Sequence, residues 1–250
     1  MTDSVVITGF HAVMSALEQA PKRVLEVYVE GGSSRDGKKR AEVGNLAAQL
    51  GVTVEERSNR FFRDRGKGRN TQGIAAKLRE FGYASLEDVC DRKSSQSIVL
   101  LCDGVTDPQN LGAIVRSAAF FGAEAVVIPR DRSAEMTPLA ERISSGGAAA
   151  VPIVRVTNIA RAIEQLRDNG YWIYGTVEAG GDELSRSNLT GKTVIVVGAE
   201  GTGMRRLTRD KCDVLLTLPS AGTVPALNVS VFAGLMLYEA WRQQSAVKKG

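Results

Sequence analysis

Asp107-Pro108-Gln109-Asn110-Leu111-Gly112-Ala113-Ile114-Val115-Arg116 is the stretch on which the reading of this chain turns. It follows the apolar run 98–102, which has the length and composition of a buried strand. Leu111, Ile114, Val115, Ala118 and Ala119 then recur at helical spacing, and Pro108 stands in the first turn, where a missing N–H costs little. A strand therefore feeds a helix here, with Asn110 and Arg116 within two turns of each other. Polar groups at the carboxyl end of a strand in an α/β sheet are commonly there for a ligand.

Working outward, strand-like and helical runs alternate through the rest of the chain. Strands are predicted at 98–102, 125–128, 150–156, 171–177, 193–197 and 214–218, and helices at 109–121, 139–144, 159–169, 207–211 and 227–242. Alternation of this kind predicts an α/β fold with a mostly parallel sheet and helices on both faces. A phosphate-binding GxGxxG after the first strand is absent; Gly201-Thr202-Gly203 is too short for one and comes too late. Upstream, helices at 9–18 and 38–50 and strands at 24–29, 52–55 and 74–78 predict a small α/β domain over 1–81. The stretch 82–97, with a short helix pattern at 86–90 and then the polar run Asp91-Arg92-Lys93-Ser94-Ser95-Gln96-Ser97, reads as a linker to a second domain, 98–250.

Charge follows the same division. Residues 1–81 hold 14 Lys and Arg against 10 Asp and Glu, so the whole net charge of +4 belongs to the first third. Between Arg57 and Arg69 there are six cations and one acid, interrupted by Phe61 and Phe62 and by two glycines. This reads as a basic loop in which Arg60, Arg63, Arg65 and Arg69 are candidate contacts for RNA phosphates. The two phenylalanines read as core residues more readily than as stacking platforms. Cys90, Cys102 and Cys212 form no CxxC pair and the chain has a single histidine, His11, so no metal is expected. No apolar stretch reaches membrane-spanning length and no signal pattern opens the sequence; a cytoplasmic protein without a membrane partner is the expectation.

Three ordered segments carry a family resemblance. The stretch 107–123, Val196-Val197-Gly198-Ala199-Glu200-Gly201-Thr202-Gly203, and Leu218-Pro219 through Pro225-Ala226-Leu227-Asn228-Val229-Ser230 resemble the three signatures of the SpoU (TrmH) family of RNA ribose 2′-O-methyltransferases. Gly9-Phe10-His11-Ala12-Val13 and Thr71-Gln72-Gly73-Ile74-Ala75-Ala76 resemble the small substrate-binding domain of its longer members. The nearest subfamily methylates a guanosine of large-subunit (23S) ribosomal RNA. The resemblance implies S-adenosylmethionine as cofactor, a deep trefoil knot in the second domain (a rarity among folds), an L30e-like first domain, and a homodimer formed through the C-terminal domain. Transfer RNA as the substrate, or RNA binding without catalysis, are the rival readings.

The resemblance also assigns roles. Arg116 would grip RNA phosphate and stabilise the developing 2′-oxyanion, since an arginine is a poor base. Asn110, Glu200 and Asn228 complete the expected catalytic group, with Glu200 expected to pair with Arg116 or with a backbone N–H. Gly198, Leu218 and Leu227 are the expected cofactor contacts. Two positions depart from the family pattern: Ala226 stands where a serine is usual, and Thr71 where a histidine is common.

Overall fold

The computed structural model describes residues 4–31, 36–66, 70–223 and 226–247, and the chain separates into two compact units, Met1–Gly82 and Tyr83–Gly250. The first unit runs β1 (Ser4–Thr8), α1 (Phe10–Gln19), β2 (Val24–Glu30), α2 (Gly37–Gln49), β3 (Thr53–Arg57), α3 (Asn59–Gly66) and β4 (Ile74–Arg79). Its four-stranded sheet has the order β1-β4-β2-β3, with β4 antiparallel to both neighbours and β2 parallel to β3. Apolar faces of α1 and α2 close over it, so that Val13, Leu17, Val43 and Ala47 pack with Val27, Ile74 and Leu78. The edge strand β1 escapes the sequence reading because its side chains are half-buried or exposed.

The basic segment differs from its expectation as a loop. Residues 59–66 form the helix α3, which buries Phe62 and leaves Phe61 half-buried between the Tyr28 ring at 5.0 Å and the Arg65 guanidinium at 3.8 Å. Its period-four spacing of Phe62 and Gly66 gives the short helix one buried stripe. Arg60, Arg63 and Arg65 stay exposed on it, while Arg69 lies outside the described residues.

The second unit contains α4 (Leu86–Cys90), β5 (Ser97–Asp103), α5 (Pro108–Phe120), β6 (Ala125–Pro129), α6 (Pro138–Ile143), α7 (Gly147–Ala150), β7 (Ile153–Val156), α8 (Ile159–Asp168), β8 (Trp172–Thr176), β9 (Asp182–Glu183), β10 (Lys192–Gly198), α9 (Arg206–Arg209), β11 (Val214–Thr217) and α10 (Val229–Val247). The strands form a seven-stranded sheet in the order β7-β6-β5-β10-β8-β11-β9, and every ladder in it is parallel. Every residue of β5 is buried, as a central parallel strand covered on both faces requires. Val99 and Leu101 pack with Leu86, Ile159, Ile163 and Leu166 on the α4–α8 face, while α5 and α10 cover the other.

Two sequence expectations change here. Within 82–97, Ser85 caps α4 by accepting a bond from the Asp88 N–H at 3.1 Å, and Leu86, Val89 and Cys90 enter the core of the second unit. The helix expected at 86–90 is thus present, but as part of the second unit's core and not of a linker. The run expected as strand 150–156 is instead divided, because α7 ends at Ala150 and β7 starts at Ile153. Burial pushes the Cys102 thiol up to about 12, which makes it a packing residue and not a nucleophile.

Gly112 tests the packing of α5. A Cβ there would stand 2.6 Å from the Ala140 carbonyl oxygen and 2.8 Å from the Ile143 Cβ. In an open helix Gly→Ala gains about 1 kcal/mol. Here the sign reverses: Gly112→Ala is expected to cost about 1–3 kcal/mol by overpacking, read as a lower urea midpoint at unchanged m-value.

Candidate active site

The order of the sheet creates the site. From β5 the chain first builds β6 and β7 on one side and then crosses to build β8 and β10 on the other, so the direction reverses between β5 and β10. Asp103 and Gly198, the last residues of these two strands, are register partners at that switch point. The crevice beyond the carboxyl ends of such strands is where open α/β sheets bind ligands.

A cavity of about 630 Å³ opens there, within the range of small-molecule sites. Its walls come from four separated stretches, 176–179 at the end of β8, 197–204 at the end of β10, 218–220 after β11 and 226–232 at the start of α10, together with Arg209. Gly198, Leu218 and Leu227 all line it, as do Met204, Val229 and Phe232. Leu227 is 46% exposed, an apolar side chain turned to an open cavity. Gly198 is required by close approach, since a Cβ would lie 2.2 Å from both Gly203 C and Met204 N. The loop folds back by a paired bridge, with the Ala199 N–H donating to the Gly203 carbonyl at 3.0 Å and the reverse bond at 2.8 Å.

Asn110, Glu200 and Asn228 meet at the edge of this cavity. Asn110 Nδ2 donates to Glu200 Oε2 at 3.4 Å, and Asn228 Nδ2 donates to Asn110 Oδ1 at 3.0 Å and to Glu200 Oε2 at 3.4 Å. Two amides 118 residues apart in sequence thus share one carboxylate oxygen. Glu200 was expected beside Arg116 or a backbone N–H; it is exposed and takes the two amides instead.

Capping explains how these amides are aimed. Asp107 Oδ1 accepts the Gln109 N–H at 2.8 Å and so caps α5, which leaves Asn110 free of that task. Asn228 does cap α10: its Oδ1 accepts the Ser230 N–H at 2.9 Å and the Ser230 hydroxyl at 2.6 Å. Holding Oδ1 toward the helix turns Nδ2 toward Glu200, so the structural and the site roles occupy opposite ends of one amide.

Arg116 stands apart. Six residues along an α-helix are a rotation of about 240°, so it leaves α5 on another face from Asn110. It is exposed and, among the described residues, has no hydrogen-bond or ion-pair partner; α7 abuts its backbone through Gly147. Ala226 is exposed on the cavity wall. Thr71 is 8% exposed and its hydroxyl accepts the Gly73 N–H at 3.4 Å, a turn-forming role. His11 is exposed on α1 in edge contact with Phe10. Sequence reasoning passed over Asp103 and Arg205, which lie at the same switch point: the Asp103 carboxylate is fully buried and accepts the Arg205 N–H at 2.8 Å. A lone Asp closing an apolar strand was the available signal.

Residues 97–238 match the SpoU rRNA Methylase family. The chain belongs to that family. Residues 6–84 match a second family, described as RNA 2′-O ribose methyltransferase substrate binding. The chain is 42% identical over 244 residues to the 23S rRNA (guanosine-2′-O-)-methyltransferase RlmB of Vibrio cholerae, covering 96% of this chain and 98% of that protein. It is 41% identical to RlmB of Escherichia coli K12, covering 97% and 100%. Among solved structures, the SpoU methyltransferase AviRb of Streptomyces viridochromogenes, in complex with AdoMet, shares the fold with a TM-score of 0.62 at 23% identity over 97% of this chain and 91% of that one. Among the described residues no cluster of three His, Cys, Asp or Glu is placed to hold a metal, and no helix is long and apolar enough to cross a membrane.

The double duty of Asn228 gives a stability test. Asn228→Ser keeps a capping oxygen and should unfold within a few tenths of a kcal/mol of wild type, whereas Asn228→Ala should lose about 1 kcal/mol. Denaturant unfolding of both variants decides this.

Proposed function

We propose that this SpoU family member transfers the methyl group of S-adenosylmethionine to the ribose 2′-hydroxyl of a guanosine in 23S ribosomal RNA. The observation that carries the reading is near-full-length similarity, 42% over 96% of the chain, to a protein so named. An rRNA substrate makes the enzyme cytoplasmic.

The cavity suits the cofactor. Leu218, Leu227 and Phe232 offer apolar faces for an adenine ring, and the tight turn at Gly198 brings backbone groups to the wall. Bound there, the cofactor supplies an electrophilic methyl group on a sulfonium. The chain's own task is positioning and charge. Asn110, Glu200 and Asn228 form a polar edge at the cavity mouth that would orient the ribose, and their mutual bonds fix them before substrate arrives. The exposed Arg116 guanidinium would bind an RNA phosphate and stabilise charge developing on the 2′-oxygen. With Ala226 in place of serine, no hydroxyl at that position takes part.

We read the stretch from Gly198 to α10, whose separate loops wall one cavity, as threaded in the trefoil knot that the family resemblance implies. The first unit reads as an L30e-like RNA-binding domain, supported by its match to the substrate-binding family and by exposed Arg60, Arg63 and Arg65. Arg69 extends the same basic segment. A second copy of the chain is the reading for the apolar face of the second unit. Val231, Leu235, Tyr238 and Trp241 on α10 are 39–53% exposed, and Phe120 at the end of α5 is 81% exposed. Phe121, Tyr238 and Trp241 pack with one another at centroid distances of 6.0–6.2 Å, making a continuous aromatic surface of a kind that marks an interface.

Ribose-methylation mapping of 23S rRNA, from cells lacking the gene and after incubation with the purified protein, tests the activity; an unchanged methylation pattern rejects it. Within that assay Arg116→Ala should raise the barrier by about 2.7–4 kcal/mol. Arg116→Lys should restore little, because an ammonium lacks the planar fork, and cofactor affinity should stay within a few-fold in both. Parallel loss of cofactor binding in Arg116→Ala would contradict the assigned role.

Light scattering at micromolar concentration should give twice the 26.8 kDa chain mass for wild type and a single chain for a Leu235→Glu, Trp241→Glu double variant. A monomeric wild type excludes the interface.

A further inference from the structure

Asp103 is the most unusual polar residue in the second unit. It is 0% exposed, closes the fully buried strand β5, and sits in register with Gly198 at the switch point. Burying a carboxylate is costly unless its oxygens are satisfied. One is: Oδ2 accepts the Arg205 N–H at 2.8 Å. The other, Oδ1, accepts no hydrogen bond among the described residues and faces Arg205 Nη1 at 3.5 Å. Both oxygens thus address one residue, through its backbone and its guanidinium, across 102 positions of sequence.

The position of Arg205 gives this meaning. It ends the loop that leaves β10 at Gly198, folds back through the Ala199–Gly203 bridge and carries Glu200. At its start the loop is held by the β5–β10 ladder, and at its far end by Asp103. Between these points Glu200, Gly201 and Thr202 are exposed, and among the described residues no backbone–backbone hydrogen bond holds them. The crown is held through the Glu200 side chain, which accepts from the Asn110 and Asn228 amides, so the anchor at Arg205 decides how firmly the backbone between is set. The Arg205 guanidinium is 44% exposed, so its pairing with Asp103 does not serve to hide a charge from water.

We propose that Asp103 is a positioning residue for methyl transfer: through Arg205 it anchors the loop 199–205, and so sets Glu200 and one wall of the cavity. It touches neither substrate nor cofactor. Arg205 acts with it as one unit, and each should lose its effect when the other is absent. The kinetic consequence rests on the methyltransferase reading, whereas the anchoring itself is independent of it.

The test therefore has two arms on the full-length protein. Hydrogen exchange at 199–205 should speed up about tenfold or more in Asp103→Asn and in Arg205→Ala, while exchange along β10 stays protected, since residues sharing one contact network act together. In single-turnover methylation of 23S rRNA each variant should lose about tenfold in rate, and the double variant should be no worse than the poorer single one. Arg205→Lys, which keeps a cation near Oδ1 and the backbone N–H, should recover part of the loss. Because Asp103→Asn alters a buried site, Arg205→Ala, at a half-exposed position, keeps the test valid if Asp103→Asn fails to fold. Unchanged exchange at 199–205, or rate losses that multiply in the double variant, would overturn the proposal. Wild-type protein without methylation activity would instead refute the functional reading, and the exchange arm would still decide the anchor.

Discussion

The parallel ladder between β5 and β10 is the interaction on which the rest of the second unit depends. It joins segments about a hundred residues apart, residue for residue from Lys192 opposite Ser97 to Gly198 opposite Asp103. Because side chains alternate between faces, a slip of one position would turn Leu100 and Leu101 to the wrong sides and remove both cores together. The same slip would separate Asp103 from the loop that starts at Gly198. Sheet stability and site geometry are thus set by one register.

Helix α10 carries that register along the strands. At about 1.5 Å per residue its 19 residues span roughly 28 Å, enough to run the length of β10. At its far end the buried Gln244 side-chain amide donates to the carbonyls of Ser97, Leu189 and Gly191, where β5 and β10 begin. At its near end Asn228 reaches Glu200 beyond the last residue of β10. The helix is pinned at both edges of the same strand pair, so the Asn228 amide inherits the rigidity of the core although it is itself exposed.

Much of this was legible in the sequence, for identifiable reasons. Buried parallel strands read as continuous apolar runs, α5 and α8 have clear periodicity, and α10 is a long run apolar around most of its circumference, so the alternating order was readable with boundaries only slightly displaced. What failed was short or exposed. β1 lies on an edge, and α3 has only two buried residues. The grouping of Asn110, Glu200 and Asn228 came from family resemblance; no local pattern connects residues on three separate loops. Their actual partners were not readable, because the expected Glu200–Arg116 pair ignored the rotation of about 240° that six helical residues impose. Asp103 was missed because a strand-terminal Asp resembles any turn former.

Two helices begin at this crevice, and their caps explain why three polar side chains there add little strain. A helix N-terminus is a region of positive potential, worth about 0.3–1 kcal/mol to a nearby carboxylate at an exposed site. Asn110 stands in the first turn of α5 and Asn228 at the head of α10, so both positive ends lie beside Glu200. Had Asn110 capped α5 itself, its oxygen would have been committed to the backbone and unable to accept from Asn228 at 3.0 Å. Asp107 takes that task, one residue before Pro108, whose missing N–H removes a competing donor. The order Asp-Pro-x-Asn is therefore a division of labour: one side chain ends the strand-to-helix turn, and the other is released into the site.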